Sequence, residues 1–199
     1  SSTVLVKILE QAGIPRGLVN VINGLGHTTA SAAIAHPATK KVVFVGSPKT
    51  GALIASASAQ RVIPCVLELG GKSANIIFPD ADLDRAVVGA QAAVFSAAGQ
   101  SCVSGARLLV HRDIYTEVVE RVASAASKLP VGLPWQEGTM VGPINNQKQF
   151  NHVHSLVSDG IAEGAVVATG GKTGEICGGE NGYFYQPTVL ANVKNNMRV

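Results

Sequence analysis

Cys102 stands in the run FSAAGQSCVSGARLLV, residues 95–110, behind Gly99, Gln100 and Ser101 and ahead of Ser104 and Gly105. A structural cysteine usually sits among Leu, Val and Ile, where it behaves as a small hydrophobe. These neighbours are short and polar instead, which leaves room around the sulfur for a second molecule. Two readings fit: a thiolate nucleophile, or a loop cysteine at a tight turn. Glu68 lies 34 positions earlier, near the end of the apolar run VIPCVLEL. Taken alone, it reads as a carboxylate closing a strand.

Three glycine runs invite a phosphate reading. GLGHTT, Gly24 to Thr29, approaches the dinucleotide fingerprint G-x-G-x-x-G, but Thr29 replaces the third glycine and no acidic residue follows about twenty positions on. GSPKTG, Gly46 to Gly51, has P-loop spacing, yet Ala52 and Leu53 occupy the Lys-Ser/Thr positions. GGKS, Gly70 to Ser73, has that pair, yet Val66 stands at the leading glycine. A P-loop NTPase is excluded at both places. A helix start at Gly46-Ser47 after a buried strand remains, where free N–H groups and the helix dipole favour an anion. An ordinary strand-to-helix turn needs the same small residues.

The elements that would position these groups alternate. TVLVKILEQAG has helical apolar spacing and a glycine stop at Gly13. GLVNVIN reads as a short strand, HTTASAAIAHP as a helix stopped by Pro37, and KKVVFVG as a strand of the buried parallel kind. SPKTGALIASASAQ reads as a helix with Ser47 as N-cap and Pro48 at its first position, and VIPCVLELGG as the next strand. After Lys72 the pattern restarts: SANIIF as a strand, then a long helix opened by acidic residues in DADLDRAVVGAQAAVFSAAG. ARLLVH reads as a strand, with helices over DIYTEVVERVASAASKL and NQKQFNHVHSLVSDGIAEG. AVVATGG and YFYQPTVL are the last expected strands, on either side of the glycine-rich loop 170–182. The succession implies an α/β fold with parallel strands and crossover helices, and a boundary near Glu68–Gly71.

Composition narrows the function classes. The 199 residues are 46% hydrophobic and 15% charged, which suits a globular chain rather than a disordered one. A net charge of +3, no Lys/Arg run beyond Lys40-Lys41, and 5% aromatic residues argue against nucleic acid as a partner. No apolar stretch reaches membrane-spanning length, and the opening residues lack the basic start of a secretory signal. Cys65, Cys102 and Cys177 form no C-x-x-C pair, so neither a zinc site nor a disulfide framework is expected. His152 and His154, two apart in a helical segment, do not share a face, and no metal is expected there. The cysteine usage points to a reducing cytoplasm.

VVFVGSPKTG, LELGGKSANIIFPDADLDRAV and GQSCVSGARLLVH occur in this order, with GPINNQKQF and GYFYQPTVL after them. Together they resemble the aldehyde dehydrogenase superfamily over essentially the whole chain, and E-L-G-G-K followed by G-Q-x-C at this separation is the specific part. The resemblance implies NAD or NADP as cofactor and oxidation of an aldehyde to a carboxylic acid through a cysteine thioester. Cys102 matches the nucleophile and Glu68 the base that activates the hydrolytic water. Gly46, Ser47 and Gly51 match the cofactor-phosphate turn, Gly26 part of the adenine pocket, and Leu69 a position whose backbone approaches the nicotinamide. Gln149, before Phe150, matches a ribose-side contact, although His152 replaces a lysine often found three residues beyond it.

By the same resemblance, residues 1–69 are the C-terminal part of a Rossmann-like NAD(P)-binding domain and residues 70–199 the N-terminal part of an α/β catalytic domain. The chain is expected to be a middle segment of such an enzyme. It lacks the family's oxyanion asparagine, the lysine-containing ribose segment and the E-x-F-G-P segment, and is expected to be inactive alone. The parent is expected to be a homodimer or homotetramer. Two other readings stand beside this one: a CoA-acylating relative, against which Glu68 argues, and a non-catalytic Rossmann-like binding or structural module.

Overall fold

The computed structural model describes residues 2–176, 179 and 181–199. Cys177 lies outside the described residues. The chain divides into two compact units, Ser1–Leu69 and Gly70–Val199.

The first unit opens with α1, Ser2–Gln11. Its end is closed by a left-handed glycine, Gly13 at φ +86°, with Gly13 N–H donating to Glu10 O and Ile14 N–H to Leu9 O. GLVNVIN does not form the expected strand. Leu18 N–H donates to Pro15 O at 3.2 Å and Asn20 Nδ2 to Gly17 O at 2.8 Å, so the backbone turns on itself there. A strand needs a ladder partner, and none of the described strands runs beside these residues. The expected helix over HTTASAAIAHP begins as a π-turn, Gly26–Ala30, and continues only as α2, Ser31–Ala35. His36 is extended at ψ 134°, as the residue before Pro37 must be.

β1, Val42–Gly46, and β2, Cys65–Leu69, pair in parallel and are joined through α3, Pro48–Ala59. Ser47 caps α3 by accepting from Thr50 N–H at 3.3 Å, with Pro48 at the first turn. Val42, Phe44, Cys65, Leu67 and Leu69 are half-buried, and α3 packs on both strands. The alternate residues Val43 and Val45 are 62% and 71% exposed. The β1 run is therefore covered on one face only, in contrast to the two-sided burial its continuous apolar character suggests. Among the described residues of this unit, nothing buries Val43 and Val45 on the second face.

In the second unit, β3, Ala74–Ile77, and β4, Arg107–Val110, pair in parallel around α4, Leu83–Phe95. Asp82 Oδ1 caps α4 through Arg85 N–H at 3.2 Å. α5, Tyr115–Ser127, lays Val118 and Val122 against Ile77, Val87 and Ala90 to form the main core, with Val118 fully buried. Arg121 bonds Asp84 on α4 at 2.7 Å and Glu117 one turn earlier at 2.6 Å. A second cluster of Ile144, Val157 and Tyr185, with Phe150 and Val153, seats α6, Gln147–Ala162.

β5, Val166–Thr169, pairs antiparallel with β6, Val189–Ala191. The expected strand YFYQPTVL is mostly not one. Tyr183 O accepts from Ile144 N–H, Phe184 O from Gly174 N–H, and Gln186 N–H donates to Lys172 O. Only a single bridge, Thr173 to Tyr185, precedes Pro187, which has no N–H to offer a ladder. Regular pairing begins at Val189.

Candidate active site

In the first unit the candidate residues gather at the carboxyl ends of β1 and β2, where ligands bind in open parallel sheets. Val45 is registered with Glu68 and Gly46 with Leu69. Strand alternation places Glu68 on the uncovered face with Val43, Val45 and Val66, opposite the half-buried Leu67 and Leu69. Its carboxylate is exposed and has no hydrogen-bond or ionic partner among the described residues. Water can therefore reach the carboxylate directly.

The turn at Gly46-Ser47 leads directly into α3. Thr50 N–H is held by Ser47 Oγ and Gly51 N–H by Ser47 O at 2.8 Å, while Pro48 has no N–H. Lys49 N–H is left without an acceptor among the described residues. That one free donor, at the positive end of a 12-residue helix, suits a phosphate oxygen. The free N–H groups expected at this helix start thus reduce to the Lys49 amide. Gly46 is exposed, but a Cβ there would meet the Phe44 ring at 2.5 Å. Gly51 is buried one turn into the helix, where a Cβ would come within 2.7 Å of Leu69 Cδ2. Gly51 therefore serves the close approach of α3 to β2, and any contribution to a cofactor site passes through that packing.

Gly26 is exposed and opens the π-turn, with open space where a side chain would begin. Its neighbour Gly24 is the sterically demanding one, because a Cβ there would fall 1.9 Å from Thr29 Oγ1.

In the second unit Cys102 occupies a four-residue turn, closed by Ser104 N–H donating to Ser101 O at 3.2 Å. The sulfur-bearing residue is exposed and Ser104 behind it is buried. Gly105 N–H donates to Ala93 O at 3.0 Å, which pins the turn to the end of α4, and β4 starts two residues later. Cys102 N–H donates to no acceptor among the described residues, so it is available to an oxyanion formed at the sulfur's reaction partner. Before the turn, Ala97 and Ala98 both adopt left-handed backbone at φ +52° and +53°, followed by Gly99 at φ +72°. Gln149 is exposed in the first turn of α6, its N–H donating to the cap Asn146 Oδ1 at 2.9 Å.

Lys72, between the two glycines and β3, is held below the ordinary lysine range by partial burial and then by the Arg107 guanidinium. Arg107 Nε donates to the Lys72 backbone oxygen at 2.8 Å. Lys72 remains exposed as a residue, so its desolvation is incomplete. Among the described residues no group of three or more His, Cys, Asp or Glu side chains converges to hold a metal ion. Nor is any helix among them long and apolar enough to cross a membrane.

The sequence matches the family model described as "Aldehyde dehydrogenase family" over residues 1–199. Among curated proteins, retinal dehydrogenase 2 of Mus musculus is 42% identical over 200 residues, covering all of this chain and 38% of that protein. An aldehyde dehydrogenase of Enchytraeus buchholzi is 42% identical over 196 residues, covering 98% of this chain and 39% of that protein. Among solved structures, the NAD+ complex of an aldehyde dehydrogenase from Bacillus cereus superposes with a TM-score of 0.91 at 38% identity, over 96% of this chain and 38% of that one. A cysteine-to-alanine mutant of aldehyde dehydrogenase C from Pseudomonas syringae, complexed with NAD+ and octanal, gives 0.93 at 38% identity, over 99% and 40%. The chain thus spans about two-fifths of the length of the curated relatives it matches.

Proposed function

Because the chain belongs to the aldehyde dehydrogenase family along its full length, we propose that it carries the nucleophile and the general base for NAD(P)-dependent oxidation of an aldehyde to a carboxylic acid. The observation that carries the reading is the turn at Cys102: an exposed thiol on a pinned turn, with its own N–H free. The thiolate of Cys102 attacks the aldehyde carbon, and the carbonyl oxygen, now an anion, accepts from the Cys102 N–H. The cofactor supplies the hydride acceptor that converts this adduct to a thioester. By the family resemblance, a water whose proton Glu68 accepts attacks the thioester carbon, and the carboxylic acid leaves as the Cys102 sulfur departs.

The Gly46-Ser47 turn with Lys49 N–H suits a cofactor phosphate, and Leu69 lies beside it at the strand end. Gly26 and Gln149 are each exposed in their own unit, and their cofactor contacts rest on the family resemblance. That the Pseudomonas syringae structure holds NAD+ and octanal supports a nicotinamide cofactor and an apolar aldehyde. The presence of Glu68 favours water over CoA as the acyl acceptor, because CoA-acylating relatives commonly lack that glutamate. The active form is taken as a cytoplasmic homodimer or homotetramer.

The test is NADH formation by the holoenzyme with and without Cys102→Ala. Loss of turnover with retained cofactor binding is expected. Unchanged turnover would overturn the assignment.

A further inference from the structure

We infer that Gln100 is a positioning residue that fixes the approach to the Cys102 turn by clamping it to the segment before α6; the inference rests on the reading of Cys102 as the nucleophile. Two independent observations carry it. The first is the hydrogen bonding of the Gln100 amide. Its Oε1 accepts from Asn145 N–H at 2.9 Å, a contact across 45 positions of sequence. Its Nε2 reaches Ala97 O at 3.4 Å, an oxygen that also accepts from Gln100 N–H at 3.1 Å.

The second observation is the backbone the clamp restrains. Ala97, Ala98 and Gly99 are three consecutive left-handed residues, two of them alanines, which disfavour that conformation. A stretch of this kind persists where its surroundings over-determine it. One end is pinned by Gly105 N–H on Ala93 O. Gln100 pins the other end, two residues before the sulfur. The same side chain forms part of the wall of a cleft of about 440 Å³, together with Ala97, Ala98, Pro143 and Asn145. Anchoring the turn from both sides holds Cys102 at a constant angle to an incoming carbonyl, which is the geometric demand of attack.

The sequence motif alone assigns Gln100 no such role, and its side chain does not touch the reacting atoms in this reading. The acceptor is the part that matters, since it is Oε1 that meets Asn145. Gln100→Leu removes it. Gln100→Glu keeps an oxygen in the same place while giving up the longer Nε2 contact.

The test has two readouts. In the holoenzyme, Gln100→Leu is expected to lower kcat for aldehyde oxidation about tenfold with little change in KM for the cofactor, and Gln100→Glu to restore most of it. In the 199-residue chain, hydrogen–deuterium exchange at the Asn145 amide is expected to quicken in Gln100→Leu and to stay slow in Gln100→Glu. Unchanged exchange and unchanged kcat in Gln100→Leu would overturn the inference, as would failure of Gln100→Glu to rescue either readout. A Cys102→Ala holoenzyme that still turns over would instead overturn the nucleophile assignment, and the exchange result at Asn145 would separate the two failures.

Discussion

The two described cysteines differ in what surrounds the sulfur. Cys65 lies in β2, half-buried and registered with Val42, whereas Cys102 is exposed on its turn. Iodoacetamide is therefore expected to modify Cys102 faster than Cys65, as peptide mapping after brief labelling would show. Faster labelling of Cys65 would contradict the site. Glu68 is proposed for a different step, and its variant has a different expected signature. In Glu68→Gln a neutral amide cannot take the proton of water, while attack by the thiolate does not need that carboxylate. Stopped-flow of the holoenzyme with aldehyde should show a burst of NADH followed by a slow steady rate. A lost burst with an unchanged steady rate would remove Glu68 from the hydrolytic step. The motifs around these two positions made them visible in the sequence; the Gln100 clamp was not visible, because it depends on a partner the local run does not name.

The β-α-β element of the first unit shows how a helix is begun and ended around a site. Ser47 begins α3 with a side-chain cap. Its end is closed by Ile63 N–H on Ser58 O and Val62 N–H on Ala59 O, which places Val62 in left-handed backbone at φ +53°. A β-branched residue is poorly suited there, and at 91% exposed Val62 gains no packing in return. Val62→Gly is expected to stabilise the unit by about 1 kcal/mol, after the glycine's extra freedom in the unfolded chain is subtracted. A urea titration followed by circular dichroism would measure it, and a lower midpoint would show that the turn is not strained as described. Gly13 ends α1 in the same way with the residue that geometry prefers.

At the scale of the whole molecule, each unit has a parallel strand pair joined by a helix, but they differ in how well that pair is covered. The second unit buries Ile77, Val87, Ala90, Val118 and Val122 together. The first leaves Val43, Val45 and Val66 exposed on the face that also carries Glu68, and Leu18, Val19 and Ile22 exposed along the segment expected to be a strand. The chain covers about two-fifths of its relatives' length, and by the family resemblance the second oxyanion donor is an asparagine with no matching position here. The 199 residues alone are expected to form NADH from aldehyde at least about 100- to 1,000-fold more slowly than the holoenzyme, the cost of losing one such donor. Comparable turnover by the two would show that Cys102 N–H suffices and that the site is wrongly drawn.

The sequence by itself determined the elements whose signals are local. Apolar periodicity and caps placed α1, α3 and α4 and the strands β1 to β4, although α4 ends at Phe95 where the expected helix ran on to Gly99, and the order of these elements predicted the parallel pairs that are found. Motif residues at set spacing pointed to the family. Tertiary structure alone decided the rest. GLVNVIN has the composition of a strand but no ladder beside it, and YFYQPTVL spends its backbone groups on Ile144, Lys172 and Gly174 before pairing can begin. An apolar run states which faces prefer burial, and it does not state what will cover them, which is why Val45 is exposed and Phe44 is half-buried. The bond from Asn145 to Gln100 belongs to the same class: its two ends carry no local sign of each other, and only the folded chain brings them within 2.9 Å.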